Sequence, residues 1–305
     1  MTYEEKLAEF DARIDAGDKI EADDWMPDDY RMGVVKFIEM HANSEIMGAL
    51  PERECLPSAP SLKRKMSLCA KIQDEVGHAQ LLYRVAEDLG KPRESMFEDL
   101  ISGKSKFHNV FHYPVKSWGD VAVIGWLIDG AALVTQAALR DSSYAPYARV
   151  LKRICAEEQL HLRHGEDITL ELASGTVAQR EMFQEALNRW WLAIIHFFGP
   201  KSNVPKDLLL KWKVKTRLNE DLRQEFLDRY VPKILELGFT FPTPVPSKEG
   251  DHWLIDDADI DWSPLEAIKK NQGPETARRL TTRKEMYDSH GWVREALDEP
   301  ARGAA

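Results

Sequence analysis

Cysteine is scarce in this chain and poorly placed for chemistry of its own. Cys55, Cys69 and Cys155 are the three among 305 residues. They form no CxxC pair and leave an odd count, which argues against a disulfide framework, a thiolate zinc site or an iron–sulfur cluster and fits reduced thiols. Cys155 stands one turn before Glu158 and reads as a packing residue. A glycine-rich dinucleotide fingerprint is missing as well, so the chain carries no Rossmann-type site for NADPH or FAD. An excess of basic charge is also absent: 41 Lys and Arg against 51 Asp and Glu give a formal net charge of -10. That balance disfavours nucleic acid or an anionic membrane as partner, while leaving room for a local basic patch. The longest apolar stretch, Val121 to Val134, is too short to span a bilayer and contains Asp129. The N-terminal segment MTYEEKLAEFDARIDAGDK lacks the apolar run of a signal peptide. A soluble, cytoplasmic protein is expected.

What is present is material for a large core: 43% of residues are hydrophobic, nine of them Trp, and 30% are charged. Helical apolar spacing (Val34, Val35, Ile38, Ile46, Leu50) predicts a first helix over 28–50, interrupted by Pro51, Pro57 and Pro60. A second runs from Ser61, a capping residue after proline, to Leu89, where Gly90-Lys91-Pro92 stops it. The stretch 90–117 reads as a long connection with one short helix. A third helix spans 118–140 and breaks at Asp141-Ser142-Ser143. A fourth spans 145–174, with Pro146 in its first turn and Gly175 after its end. Two helical hairpins joined by one long crossover is the layout of a ferritin-like four-helix bundle, and the fold class is all-α. Helices near 178–198 and 206–237 are expected to pack around the bundle. Residues 1–238 are thus expected to form the bundle with its flanking helices. Residues 239–305 are expected to form an extended arm, with a weakly signalled hairpin near Trp253 and a terminal helix over 263–298, docked on the same domain.

Chemistry is carried by a repeated pair. Glu-x-x-His on a helix puts a carboxylate and an imidazole on one face, one turn apart, so both reach one metal centre. Glu75 with His78 on the second helix, and Glu158 with His161 on the fourth, fit this spacing. The bare motif is weak, since a chain with nine His contains one by accident, and Glu249 with His252, beside Pro246 and Gly250, is that accident. Strength comes from Glu45 and Asp129, which precede the two pairs by about the same distance on the preceding helices. Each hairpin offers one carboxylate and then one Glu-x-x-His. Asp129 lies within VAVIGWLIDGAALV, apolar on nearly every face, where an unpaired carboxylate costs several kcal/mol. A metal removes that cost; a buried ion pair is the bland alternative. Four carboxylates and two imidazoles suit two iron ions, and manganese fits the same donors. Asp74 and Glu157, at i-4 to His78 and His161, are candidates to accept the imidazole N–H, directly or across the bundle. His41 reads as a hydrogen-bonded core histidine, and it and His164 stay outside the ligand set.

With these residues in place the chain resembles the catalytic A subunits of ring-1,2-phenylacetyl-CoA epoxidases, bacterial multicomponent monooxygenases. The resemblance rests on Trp25-Met26-Pro27-Asp28, HANSEIMGALPE around Glu45, AKIQDEVGHAQLLY around Glu75 and His78, VIGWLIDGAA around Asp129, SYAPYARVLKRICAEEQLH ending at His161, and Phe198-Gly199-Pro200. It implies that Glu45, Glu75, His78, Asp129, Glu158 and His161 ligate two irons, with the four carboxylates counted as catalytic. It also implies that O2 and phenylacetyl-CoA are substrates and that a ring epoxide forms. Electrons would come from NADPH through a partner reductase bearing FAD and an iron–sulfur cluster. A heteromeric complex would be completed by a structural ferritin-like subunit plus a small bridging subunit. Contacts to the CoA thioester would fall on Lys36 and on Lys106, Phe107, His108 and Asn109. Lys201 and the run Lys211 to Lys215 are further basic candidates, the run reading as a solvated helix face. The competing readings are an oxygenase of another aromatic CoA thioester such as benzoyl-CoA, a ferritin-class iron-oxidising protein and an inactive scaffold subunit. The scaffold reading requires lost ligands, and the full set is present.

Overall fold

Two acidic residues, Asp28 and Asp29, open the long helix α2 (Asp28–Cys55), where they favour the N-terminal end of the helix dipole. Its inner face buries Val34, Ile38, Ala42 and Ile46 in a regular i, i+4 row. A computed structural model describes residues 1–298 and places α2 against α3 (Leu62–Glu87) as the first hairpin. Ser61 caps α3 by accepting the N–H of Arg64 at 3.2 Å, and Gly90, at φ 101°, turns the chain out of it. The crossover carries α4 (Arg93–Ile101) and a 3-10 turn at Asn109–His112. The third bundle helix is a continuous run, Trp118–Leu139, made of α5 (Trp118–Val123), a π-helical segment (Ile124–Ile128) and α6 (Asp129–Leu139). The fourth is α7 (Ala145–Ala173). The all-α ferritin-like fold is therefore as expected.

The π segment and α7 touch backbone to backbone. A Cβ on Gly165 would stand 2.0 Å from the carbonyl carbon of Gly125, inside the π segment. That contact brings Asp129 and the Glu158–His161 pair to one level. The extra residue per turn of a π segment re-aims the side chains that follow it, here beginning with Asp129. The run Trp118–Leu139 spans 22 residues, longer than the apolar stretch suggested, and 78% of its most apolar window is buried in the molecule, as for a core helix.

Several elements differ from expectation. Pro51 does not end α2, which runs on to Cys55 with Leu50, Pro51, Glu52 and Cys55 all buried; the proline withholds one N–H, the one that would reach the Met47 carbonyl. An N-terminal helix, α1 (Tyr3–Ala16), buries Phe10 and Ile14. Helix α8 (Val177–Phe197) lies close to its expected position. The expected single helix over 206–237 is split into α9 (Leu208–Lys211) and α10 (Asn219–Glu236). Trp212 and Val214 are drawn into the core beside Phe10 and Tyr30, and Lys213 takes a positive φ of 53° to allow it. The terminal segment is likewise broken, into α11 (Ser263–Lys269), α12 (Thr276–Ser289) and α13 (Gly291–Asp298). Asn271, at φ 60°, makes the first break. The arm holds a two-stranded antiparallel hairpin, β1 (Ser247–Glu249) with β2 (His252–Leu254). It packs on α8, whose Trp191 Nε1–H donates to the Pro244 carbonyl at 2.7 Å. Residues 299–305 of the 239–305 segment lie outside the described residues.

Candidate metal centre

All six residues singled out by spacing converge inside the bundle, and all are buried. Donor atoms of Glu45, Glu75, His78 and Glu158 lie within 4.8 Å of one another, as do those of Asp129, Glu158 and His161. Glu158 belongs to both groups. His78 Nδ1 stands 3.3 Å from Glu158 Oε1 and 3.9 Å from Glu45 Oε2. His161 Nδ1 stands 3.2 Å from Glu158 Oε2 and 3.6 Å from Glu75 Oε1. Both rings therefore turn Nδ1 inward.

Their outer nitrogens are held crosswise. His78 Nε2–H donates to Glu157 on α7 at 2.9 Å, and His161 Nε2–H donates to Asp74 on α3 at 3.0 Å. Each hairpin thus supplies the carboxylate that orients the other hairpin's histidine. With the proton fixed on Nε2, the inward Nδ1 carries the lone pair a metal takes. His78 is 1% exposed, and among the described residues its Nδ1 has the Glu158 and Glu45 carboxylates near it but no well-aligned hydrogen bond. A buried imidazole nitrogen aimed at buried carboxylates is a donor set that a cation fits.

The electrostatics agree. Burial, then the neighbouring charges of Glu158 and Glu45, push the Glu75 carboxyl well above the usual carboxylate range. Burial and the nearby Glu158 also lift Asp129, to about 7, against the opposing pull of Lys71. Burial alone would depress His78, but the carboxylates of Glu158 and Glu45 outweigh it and hold the ring at about 10. Protons here occupy the place of positive charge, and divalent cations bound by the same oxygens and Nδ1 atoms would displace them. The donor set therefore fits a two-metal carboxylate centre. It could hold such ions among hard oxygen donors with one nitrogen on each side.

Sequence reasoning missed Lys71 and Glu52. Lys71, 4% exposed, donates to Asp129 Oδ2 at 2.5 Å and to Glu52 Oε1 at 2.5 Å. It stands four residues before Glu75, a spacing that was there to read, but only the fold shows that it crosses to Asp129. The bland account of Asp129, a buried ion pair, is therefore also realised. His41 is not a core histidine but faces the site: the half-buried ring lines the cavity described below, and its Nε2 is 2.8 Å from Glu45 Oε1. His164 is half-buried beyond the cluster. Glu249 and His252 face each other across the exposed hairpin, where His252 pairs with Asp228 at 2.7 Å.

A cavity of about 290 Å³ opens onto Glu45, Glu75, Asp129 and Glu158. Its walls are mostly apolar, with Phe37, Phe111, Ile128, Phe197 and Leu139 among them, and Lys215 and Arg217 also line it. Of the five residues suggested for thioester contacts, His108 lines this cavity. Its Nε2–H donates to the Phe197 carbonyl at 3.2 Å, and burial lowers it to about 4, so the ring is neutral. Lys36 is exposed on α2, and Lys106 is tied to Asn271 at 2.8 Å. Phe107 stacks on His112 at 3.9 Å, and Asn109 Nδ2 donates to the Ala193 carbonyl at 2.8 Å; none of these four lines the cavity. The basic run is not a solvated helix face throughout, since Lys215 turns inward between Asp207 and Asn219. Lys201 pairs with Asp257 at 2.5 Å on the surface.

Fold and site together define a ferritin-like helical bundle built around paired carboxylates and histidines. The chain belongs to the phenylacetic acid catabolic protein family, whose sequence model matches residues 3–292. A relative from Escherichia coli (strain K12), the A subunit of 1,2-phenylacetyl-CoA epoxidase, is 42% identical over 300 residues. The match covers 97% of this chain and 96% of that one.

Proposed function

We propose that this chain is the catalytic component of a multicomponent di-iron monooxygenase that epoxidises the aromatic ring of phenylacetyl-CoA. The observation that carries the reading is the crosswise-held carboxylate–histidine cluster at the end of an apolar cavity. The relative's name, at 42% identity over nearly the whole chain, supports the substrate. Glu45, Glu75, His78, Asp129, Glu158 and His161 would hold two irons, which when bound supply the redox chemistry that divides O2 between product and water. Asp74 and Glu157 keep each imidazole oriented with Nδ1 inward. The phenyl walls of the cavity receive the ring and exclude water from it, and the fixed neutral His108 adds no charge there. A ferritin-class iron store needs no such apolar cavity.

The chain has no dinucleotide site of its own by sequence, so NADPH would be oxidised on a partner reductase carrying FAD and an iron–sulfur cluster. The proposed complex, in the cytoplasm, is completed by a structural ferritin-like subunit plus a small bridging subunit. Lys36, Lys106, Phe107, His108 and Asn109 remain the proposed thioester contacts; His108 has the cavity behind it, while Lys215 and Arg217 are additional cations for the CoA phosphates. The complex reconstituted with its partners should convert phenylacetyl-CoA to a product carrying one atom from labelled O2, and turn over benzoyl-CoA far more slowly. Preference for benzoyl-CoA, or a product without label, would overturn the substrate assignment.

A further inference from the structure

The two hairpins hold their leading carboxylates by different means. Asp129 is gripped by a charged lysine, whereas Glu45 is gripped by an imidazole that is itself gripped by a phenol: Tyr147 Oη to His41 Nδ1 is 2.8 Å, and His41 Nε2 to Glu45 Oε1 is 2.8 Å. Glu45, as a carboxylate, accepts from His41 Nε2–H, which leaves the ring's lone pair at Nδ1 for the Tyr147 hydroxyl to donate to. Tyr147 is fully buried, so its hydroxyl has little alternative to this partner. The ring planes of His41 and Tyr147 stand at 90°, and Phe37 packs edge-on against Tyr147 at 6.1 Å, which fixes the phenol's position. Gln136 Nε2 lies beside this contact, 3.3 Å from His41 Nε2 and 3.5 Å from Glu45 Oε1. Oε1 is therefore occupied from outside the cluster, and Oε2 is the oxygen turned toward His78 Nδ1. Tyr147, His41 and Gln136 all line the cavity.

We propose that Tyr147 and His41 are positioning residues that present Glu45 to the metal centre through one oxygen, and that they link the cavity wall to that single ligand. Asp129, held by Lys71 with no cavity-lining intermediary, has no such link. The inference rests on the two-metal reading of the cluster, so its test includes an arm that needs no metal.

In protein labelled with 15N at histidine and free of metal, wild-type His41 should show the Nε2–H tautomer with Nδ1 as acceptor. Tyr147→Phe should shift the Nδ1 resonance of His41 while leaving helical content unchanged. In iron-loaded complex, Tyr147→Phe should keep its iron, change the Mössbauer parameters of one iron and leave the other alone, and lower the epoxide formed per NADPH consumed by several-fold. His41→Gln, whose amide can still donate to Glu45, should retain more of that ratio than His41→Leu. Unchanged His41 resonances in Tyr147→Phe, or unchanged spectra and coupling in both Tyr147→Phe and His41→Leu, would overturn the proposal. Failure of the wild-type complex to bind iron or convert phenylacetyl-CoA would instead count against the function proposed above, and the NMR arm would still decide the positioning.

Discussion

The α2–α3 hairpin and the α6–α7 hairpin carry one pattern of donors, a carboxylate and then Glu-x-x-His, but they are braced differently. In the first, Glu45 is steadied by a chain of hydrogen-bonding side chains, His41, Tyr147 and Gln136. In the second, Asp129 faces the ammonium group of Lys71, which comes from the first hairpin and also binds Glu52. Only the histidines are treated alike, each by a carboxylate from across the bundle. Repetition thus accounts for the donors, while their surroundings differ between the halves.

Changing the donors themselves should have the most severe consequence. Glu75→Ala or Asp129→Ala should reduce epoxidation to background while circular dichroism still reports a helical bundle; retained turnover would refute their role. Next comes the bracing of Asp129. Lys71→Met leaves Asp129 and Glu52 buried without their partner and should destabilise the chain by about 3–5 kcal/mol in urea denaturation. His41→Leu removes one hydrogen bond to a carboxylate and should cost about 1–3 kcal/mol; equal losses would erase the difference between the two halves.

Asp74→Asn and Glu157→Gln loosen one histidine each and should lower metal affinity by about 10–100-fold, to similar extents, if the crosswise arrangement is as symmetric in energy as in geometry. Competition with a metal-binding dye measures this. pH offers a gentler probe. His78 in the folded, metal-free protein is raised to about 10, above its ordinary 6.5. Its contribution to stability is therefore full below about 6.5 and lost as pH rises through about 10. Metal must displace that proton, so affinity should rise with pH between 6 and 9 and iron uptake should release protons, as calorimetry in two buffers would show. The smallest effect is a control: His252→Ala, on the exposed hairpin, should leave iron content unchanged.

Much of this was legible in local spacing. Ser61 and Gly90 marked the limits of α3, and the donors of both hairpins followed from i, i+3 periodicity and its repetition, because helical geometry converts sequence distance into direction. What was not legible depended on contacts between elements. The role of Lys71 needs α6 beside α3, and the crosswise pairing of Asp74 and Glu157 needs the bundle's depth register. The π segment before Asp129 has the same apolar text as an α-helix, and it is the Gly125–Gly165 contact that accompanies it. Pro51 was read by its local cost, which the packing of this end of α2 outweighs, since Leu50, Pro51, Glu52 and Cys55 are all buried. Trp212 and Val214 broke a helix because burying them beside Phe10 and Tyr30 outweighed the propensity of the run around them. Lys106, chosen by resemblance, reaches Asn271 because the terminal arm folds back over the crossover.

Whether the two hairpins together hold a pair of irons is decided by metal analysis joined to Mössbauer spectroscopy of the iron-loaded chain. The expected result is about two irons per chain, antiferromagnetically coupled when oxidised and distinguishable from each other because their bracing differs. A single iron, a zinc-only protein, or loading that persists when both His78 and His161 are replaced by Ala would contradict it.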